Sequence, residues 1–289
     1  MRLSILDHGH RRRAKAFFAL TSRKSGVASP DIVKLLLYRP GLFARPLLAL
    51  TADAMRGPSY WTAGEREYLA MSTAKLHECP FCAVTHAELV RIAATGEIDP
   101  DDPRSARPEL EAVRAFLETV SQDPDRADAA GVAGVPRQAV VEALRVNLVW
   151  NVVNRLANAF GFVLREGQLE TGTRSLHRFG YRFPGFLVAE GHYTDLGEVA
   201  QNLRHSVLHT PGATGQAIRS AALLADELPQ PLQAYATTVR DASYKITDAD
   251  IDELTAAGYS EDAIFEVTAA AAVGAALASY DAGLRAIGE

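Results

Sequence analysis

Residues 62–86 read TAGEREYLAMSTAKLHECPFCAVTH, and this stretch decides the fold class. Thr62 followed three residues on by Glu65 is a capping box, in which each side chain satisfies the other residue's free amide. It predicts a helix running to about His77. Pro80 then stands where a first helical turn has no use for an amide hydrogen, so a second helix is expected from there to about Ala94, ended by Gly96. A connection as short as Glu78-Cys79 must fold these two helices back on one another.

Outward from this hairpin the same grammar repeats. Pro108 opens a helix that places Leu110, Val113, Phe116, Leu117 and Val120 on one face. Pro136 opens a longer one carrying Val140, Leu144, Val149, Val152 and Leu156. Thr247 with Asp250 is a second capping box, and Ser260 caps a last long helix to about Ala286. Asp99 to Pro108, with Pro100 and Pro103, is a surface loop. No run alternates as a strand would, so the fold class is all-α. From about Arg165 to Asp195 the pattern changes, with Gly180, Pro184, Gly185 and Gly191 among aromatics. A connector without long helices is expected there. The organisation that follows is a helical domain at 1–165, a connector at 166–195 and a second helical unit at 196–289.

The two halves echo each other. Gly134 to Glu142 resembles Gly258 to Glu266 at a constant offset, and Tyr38-Arg39-Pro40-Gly41 looks like His209-Thr210-Pro211-Gly212. If this is a duplication, the second copy has lost its cysteines and mainly packs.

Of the 289 residues, 48% are hydrophobic and 22% charged, and the net charge is −5. A globular chain follows, without the dense basic face a nucleic-acid binder needs. Arg11-Arg12-Arg13 lies before too short an apolar run for a signal peptide, and it is expected to be a solvated tail. No segment reads as a membrane span, Ala269 to Ala278 being rich in the small residues that permit close helix packing. A cytoplasmic protein with no membrane or nucleic-acid partner is the expectation.

There are only two cysteines, Cys79 and Cys82. At the start of a helix they meet unsatisfied amides and the positive end of the helix dipole, both of which favour the thiolate. Three residues apart they share a face and can form a disulfide. His86, one turn beyond Cys82, can take a thiol proton. Glu67, on the preceding helix, can reach His86 and fix its tautomer. Two other readings compete: small core cysteines, or a zinc site in which His77 or a distant histidine joins Cys79, Cys82 and His86. His205 and His209, four apart, read as solvated or capping. Arg155 with Asn151 and Asn154 could line the pocket or form a structural ion pair, and Trp61 and Trp150 read as core.

From about Asp31 to Phe162 the chain resembles the alkyl hydroperoxidase D-like members of the carboxymuconolactone decarboxylase family. The matched pieces are Arg39-Pro40, Glu65-Arg66-Glu67, Cys79-Pro80-Phe81-Cys82 with His86, and Val153-Asn154-Arg155-Leu156. From about His209 on, the chain looks like a degenerate copy. The resemblance implies two such units in tandem, a homo-oligomer, and a cofactor-free enzyme that reduces hydroperoxides and is re-reduced by an external dithiol. It makes Cys82 the peroxidatic thiol, Cys79 the resolving thiol, His86 the general base and Glu67 the continuation of the proton relay. The founding hydroperoxidase has a second histidine between its cysteines, and this chain has Phe81 there. The wider family also suggests a cofactor-free lyase, although its decarboxylating members generally lack the cysteine pair. A non-catalytic zinc or interaction module is the third alternative.

Overall fold

A computed structural model describes residues 1–189 and 195–288. Residues 190–194 and Glu289 lie outside the described residues, Gly191 of the expected connector with them. Among the described residues 72% are helical and none forms a strand, so the chain is all-α. In chain order the helices are α1 (Ile5–His8), α2 (Arg12–Ser25), α3 (Asp31–Tyr38), α4 (Arg45–Arg56), α5 (Ala63–Leu76), α6 (Pro80–Ala93), α7 (Pro108–Gln122) and α8 (Arg137–Phe160). They continue with α9 (Gln168–Phe179), α10 (Gly185–Val188), α11 (Val199–His209), α12 (Gln216–Leu224), α13 (Leu232–Ala242), α14 (Asp248–Ala256) and α15 (Glu261–Ala286).

The capping residues do what their types require. The Thr62 hydroxyl accepts the Glu65 amide at 3.1 Å, and the Glu65 carboxylate accepts the Thr62 amide at 2.9 Å. The same reciprocal box joins Thr247 and Asp250, and Ser260 accepts the Ala263 amide. Between α5 and α6 the Cys79 amide bonds the Ala74 carbonyl and the Glu78 amide bonds that of Lys75. This pattern reverses a helix tightly and needs a left-handed residue after the cap. Glu78 supplies it with φ 49°, where glycine would be easier.

The long helices α8 and α15 pack against each other at the centre. The α5–α6 hairpin lies on α8, while α12 and α13 lie on α15. One continuous apolar core runs from Leu3 to Tyr280 and draws on both halves. Gly274 explains the small-residue stretch of α15, since a Cβ there would fall 1.9 Å from the Leu223 carbonyl oxygen of α12. By length and composition α15 could cross a membrane, yet 89% of its apolar window is buried inside the protein.

Two expectations need correction. The Arg11-Arg12-Arg13 cluster is not a loose tail: it leads into α2, and Arg11 and Arg13 donate to the carbonyls of Leu187 and Ala189. The connector also holds a real helix, the twelve-residue α9, which packs on α6. It is hard to see in sequence because its inward side has few apolar residues: Gln168 and Thr173 are buried and Leu169 and Leu176 half-buried, while Arg174, His177, Arg178 and Phe179 face out.

Candidate functional site

Cys79 is the N-cap of α6, Pro80 its first residue and Cys82 its third. Both are unpaired thiols and almost wholly enclosed, at 1% and 2% exposure. The Cys82 thiol donates to the Cys79 sulfur and holds its pKa below the ordinary thiol value, against the opposing effect of burial. The amides of Cys82 and Phe81 add to this as nearby dipoles, without a regular capping bond to sulfur. Burial pushes the Cys82 thiol well above its ordinary value, and the bond to Cys79 and its charge push further. Of the two thiols, Cys79 is thus the one pulled towards the thiolate and Cys82 the one pushed away from it, although the resemblance makes Cys82 the attacking sulfur.

Beside the thiols lies a closed polar cluster. Glu67, on α5, has no exposure at all. Its Oε2 meets His86 Nδ1 at 2.7 Å, its Oε1 accepts from Arg56 Nη2 at 2.6 Å, and the Tyr181 hydroxyl donates to both oxygens at 2.8 and 2.9 Å. Burial alone would raise the Glu67 pKa, but the His86 hydrogen bond and charge, followed by those of Arg56, bring it below the ordinary carboxylate value. An ionised carboxylate only accepts, so His86 must carry its proton on Nδ1, which leaves Nε2 for chemistry. Burial, and then the Glu67 charge, push the Tyr181 phenol far above its usual pKa, so it stays a donor. The His86 ring lies 4.0 Å from that of Trp150, edge to face.

Across the hairpin Glu67 meets His86, Cys82 shares a cavity wall with His86, and Cys79 adjoins Cys82. Arg56 and Tyr181 were not foreseen. Arg56 ends α4 and resembles any basic residue at a helix C-terminus. Tyr181 follows Gly180 in a left-handed turn after α9, with φ values of 60° and 63° for the two residues. Nothing local announces a partner 114 residues away.

A cavity of about 70 Å³ borders the cluster, lined among others by Phe81, Cys82, His86, Trp150, Tyr181 and Phe183. Cys82 faces it; Cys79 is not among its lining residues. Its walls are almost entirely apolar, which suits a small organic ligand better than an ion.

Behind the thiols sits a second polar group. His77 Nε2 meets Asn151 Oδ1 at 2.7 Å, and the Asn158 amide holds the His77 carbonyl at 2.8 Å. Burial, with the Arg155 charge, pulls the His77 pKa down to about 3 in spite of the Asn151 hydrogen bond. Arg155 donates to Asn151 and to the Arg240 carbonyl, and it makes no ion pair among the described residues. Both polar side-chain atoms of Asn154 are buried without a hydrogen-bond partner. Trp61 and Trp150 are buried, as expected. His205 and His209 stack at 4.5 Å. Among the described residues no three metal-ligating side chains converge, and the nitrogen His77 would offer a metal already faces Asn151.

No protein-family model matches this chain, and no curated protein is significantly similar to it.

Proposed function

We propose that the chain is a dithiol peroxidase that reduces small organic hydroperoxides through a Cys79–Cys82 disulfide. The observation that carries this reading is that Cys82 and His86 line one apolar cavity, with the ionised Glu67 on the far nitrogen of His86. Cys82 is the thiol that a substrate in the cavity can meet. Its raised pKa means that it needs a base, and Nε2 of His86 or the Cys79 thiolate can serve.

In the proposed cycle the deprotonated Cys82 sulfur attacks the terminal peroxide oxygen. A sulfur–oxygen bond forms, the oxygen–oxygen bond breaks, and the leaving alkoxide takes the proton held by the base. Cys79, already favoured as thiolate, then attacks the Cys82 sulfenic acid and expels hydroxide, which leaves as water once protonated. The products are a disulfide, an alcohol and water. An external dithiol reverses the disulfide by exchange. Phe81, where the founding hydroperoxidase has a histidine, keeps the approach apolar and leaves His86 as the one histidine beside the cavity.

The tandem organisation belongs to the same proposal. Arg66 donates to carbonyls 12 and 9 residues before it, Ala54 and Gly57, and Arg219 donates to carbonyls 12 and 9 residues before it, Val207 and Thr210. In that register Tyr60 corresponds to Ala213, and their amides are bound by Glu142 and Glu266, two residues that also align in sequence. Helices α4, α5 and α8 thus answer to α11, α12 and α15. This register sets Gly57, rather than Tyr38 to Gly41, against the Thr210 segment. In the second unit α13 has Pro231 at the N-cap, where α6 has Cys79.

Intact-mass measurement after one equivalent of hydroperoxide tests the reading. The parent should lose two thiols, Cys79→Ser should trap one added oxygen, and Cys82→Ser should stay unmodified. Hydroperoxide consumption by Cys82→Ser at the parent rate would sink the proposal.

A further inference from the structure

Over most of the surface, cations meet carboxylates: Arg91 with Asp101, Arg114 with Glu111 and Glu118, Arg204 with Asp281. Helix α2 departs from this. It and its N-cap hold basic residues at 11, 12, 13, 15, 23 and 24 and no acidic residue. Arg12, Lys15, Arg23 and Lys24 are exposed, and none forms an ion pair among the described residues. Beyond the site, α9 and the turn after it continue the field with Arg174, Arg178 and Arg182, also exposed and without ion pairs among the described residues. In a chain of net charge −5, this concentration of positive charge is local.

The two segments belong to one region. Phe17 and Phe18 of α2 pack with Phe183 and Val188 around Ala14, Leu37 and Leu187. Arg11 donates to the Leu187 carbonyl at 2.9 Å and Arg13 to that of Ala189 at 2.6 Å. These same segments carry the most exposed large apolar side chains of the described surface: Leu20 at 68%, Phe179 at 61% and Phe186 at 59%. Cations beside outward-facing Leu and Phe are the composition of a surface that lies on lipid headgroups. Each Lys or Arg near an anionic bilayer adds to the attraction, and the apolar groups add burial among the acyl chains. A nucleic acid would use the cations but gain nothing from Leu20.

We infer that α2, α9 and α10 form a docking face for the surface of an anionic lipid bilayer, with Leu20, Phe179 and Phe186 entering the headgroup layer. The face is also the outer side of the cover over the dithiol, because Leu176 and Phe183 line the cavity from within. The docking itself does not depend on the thiol chemistry.

The test is co-sedimentation of the full chain with phosphatidylcholine vesicles, with and without phosphatidylglycerol, at low and high salt. Binding to the anionic vesicles alone is expected, and it should fall as salt rises. Arg23→Glu/Lys24→Glu and Phe179→Ser/Phe186→Ser should each weaken it by about tenfold or more, with unchanged circular dichroism. The Cys79→Ser/Cys82→Ser protein should bind like the parent, which separates this result from the fate of the peroxidase reading. Absence of binding to anionic vesicles, or equal binding to neutral ones, overturns the inference. So does undiminished binding by the Phe179→Ser/Phe186→Ser protein, which would mark a general polyanion patch.

Discussion

Two buried carboxylates, Glu67 and Glu266, both have no exposure, and both are held ionised, yet they are built for different ends. Around Glu67 stand an arginine, the Tyr181 hydroxyl and the imidazole of His86, next to the thiols. Around Glu266 stand Arg39, Arg219, the Thr214 hydroxyl and the amides of Ala213 and Thr214. Of those only the arginines are titratable, and they stay charged at any ordinary pH. Gly212 is required there, since a Cβ would fall 2.5 Å from the carboxylate oxygens. A buried acid surrounded by amides and arginines is a clamp, whereas one coupled to an imidazole can pass a proton. The difference lies in the partners, not in burial or charge.

Breaking the clamp should give the largest effect. Glu266→Ala leaves two arginines and two amides facing an empty site and should cost about 3–5 kcal/mol, read from urea unfolding at pH 7. Acid should act in the same direction. For both Glu67 and Glu266 burial is outweighed, by the His86 bond and by the Thr214 bonds with Arg39 respectively, so each folded-state pKa lies below the unfolded one. A depressed carboxylate pKa contributes stability that is complete above the unfolded value of about 4.5 and is lost as pH falls through the folded value. Urea midpoints should therefore hold from neutrality to about pH 5 and drop below that, with a shallower drop for Glu266→Ala.

Glu67→Gln sharpens the contrast from the other side. Glutamine keeps the shape and an acceptor for Tyr181, so the stability loss should be smaller than for Glu266→Ala. Peroxide-dependent thiol oxidation should fall about 10²- to 10⁴-fold, the usual range for disabling acid–base catalysis. An oxidation rate equal to the parent's would make Glu67 a second clamp. Tyr181→Phe should have the smallest effect. It removes the hydroxyl that ties the cover to Glu67, and a stability loss of about 1 kcal/mol is expected. Alkylation of Cys82 should become faster, because the cover opens more often. Unchanged alkylation would show that α9 is held by its apolar contacts alone.

The elements read in sequence were those with local causes. Thr62 with Glu65, Thr247 with Asp250, Ser260, and the prolines at 80, 108 and 136 all act within one helical turn, so spacing alone reveals them. The association of Glu67 with His86 was legible for a related reason, since one tight turn joins their helices. Helix α9 was missed because its inward side carries few apolar residues, Gln168 and Thr173 being its buried ones, and the glycines around it read as a connector. The bonds of Arg66 to the Ala54 and Gly57 carbonyls and of Arg219 to those of Val207 and Thr210 were hidden because backbone carbonyls leave no mark on residue type.

By itself the sequence determined many of the helices, their caps and the place of the cysteine pair at the head of α6, all consequences of chemistry acting over a few residues. Tertiary structure alone decided that Arg56 and Tyr181 close on Glu67, that Cys82 rather than Cys79 faces the cavity, and that the Cys79 thiol is pulled below its ordinary pKa while that of Cys82 is pushed above it. Those outcomes depend on which groups burial brings within hydrogen-bond distance. Contacts across 114 residues are set by packing, which no local pattern encodes.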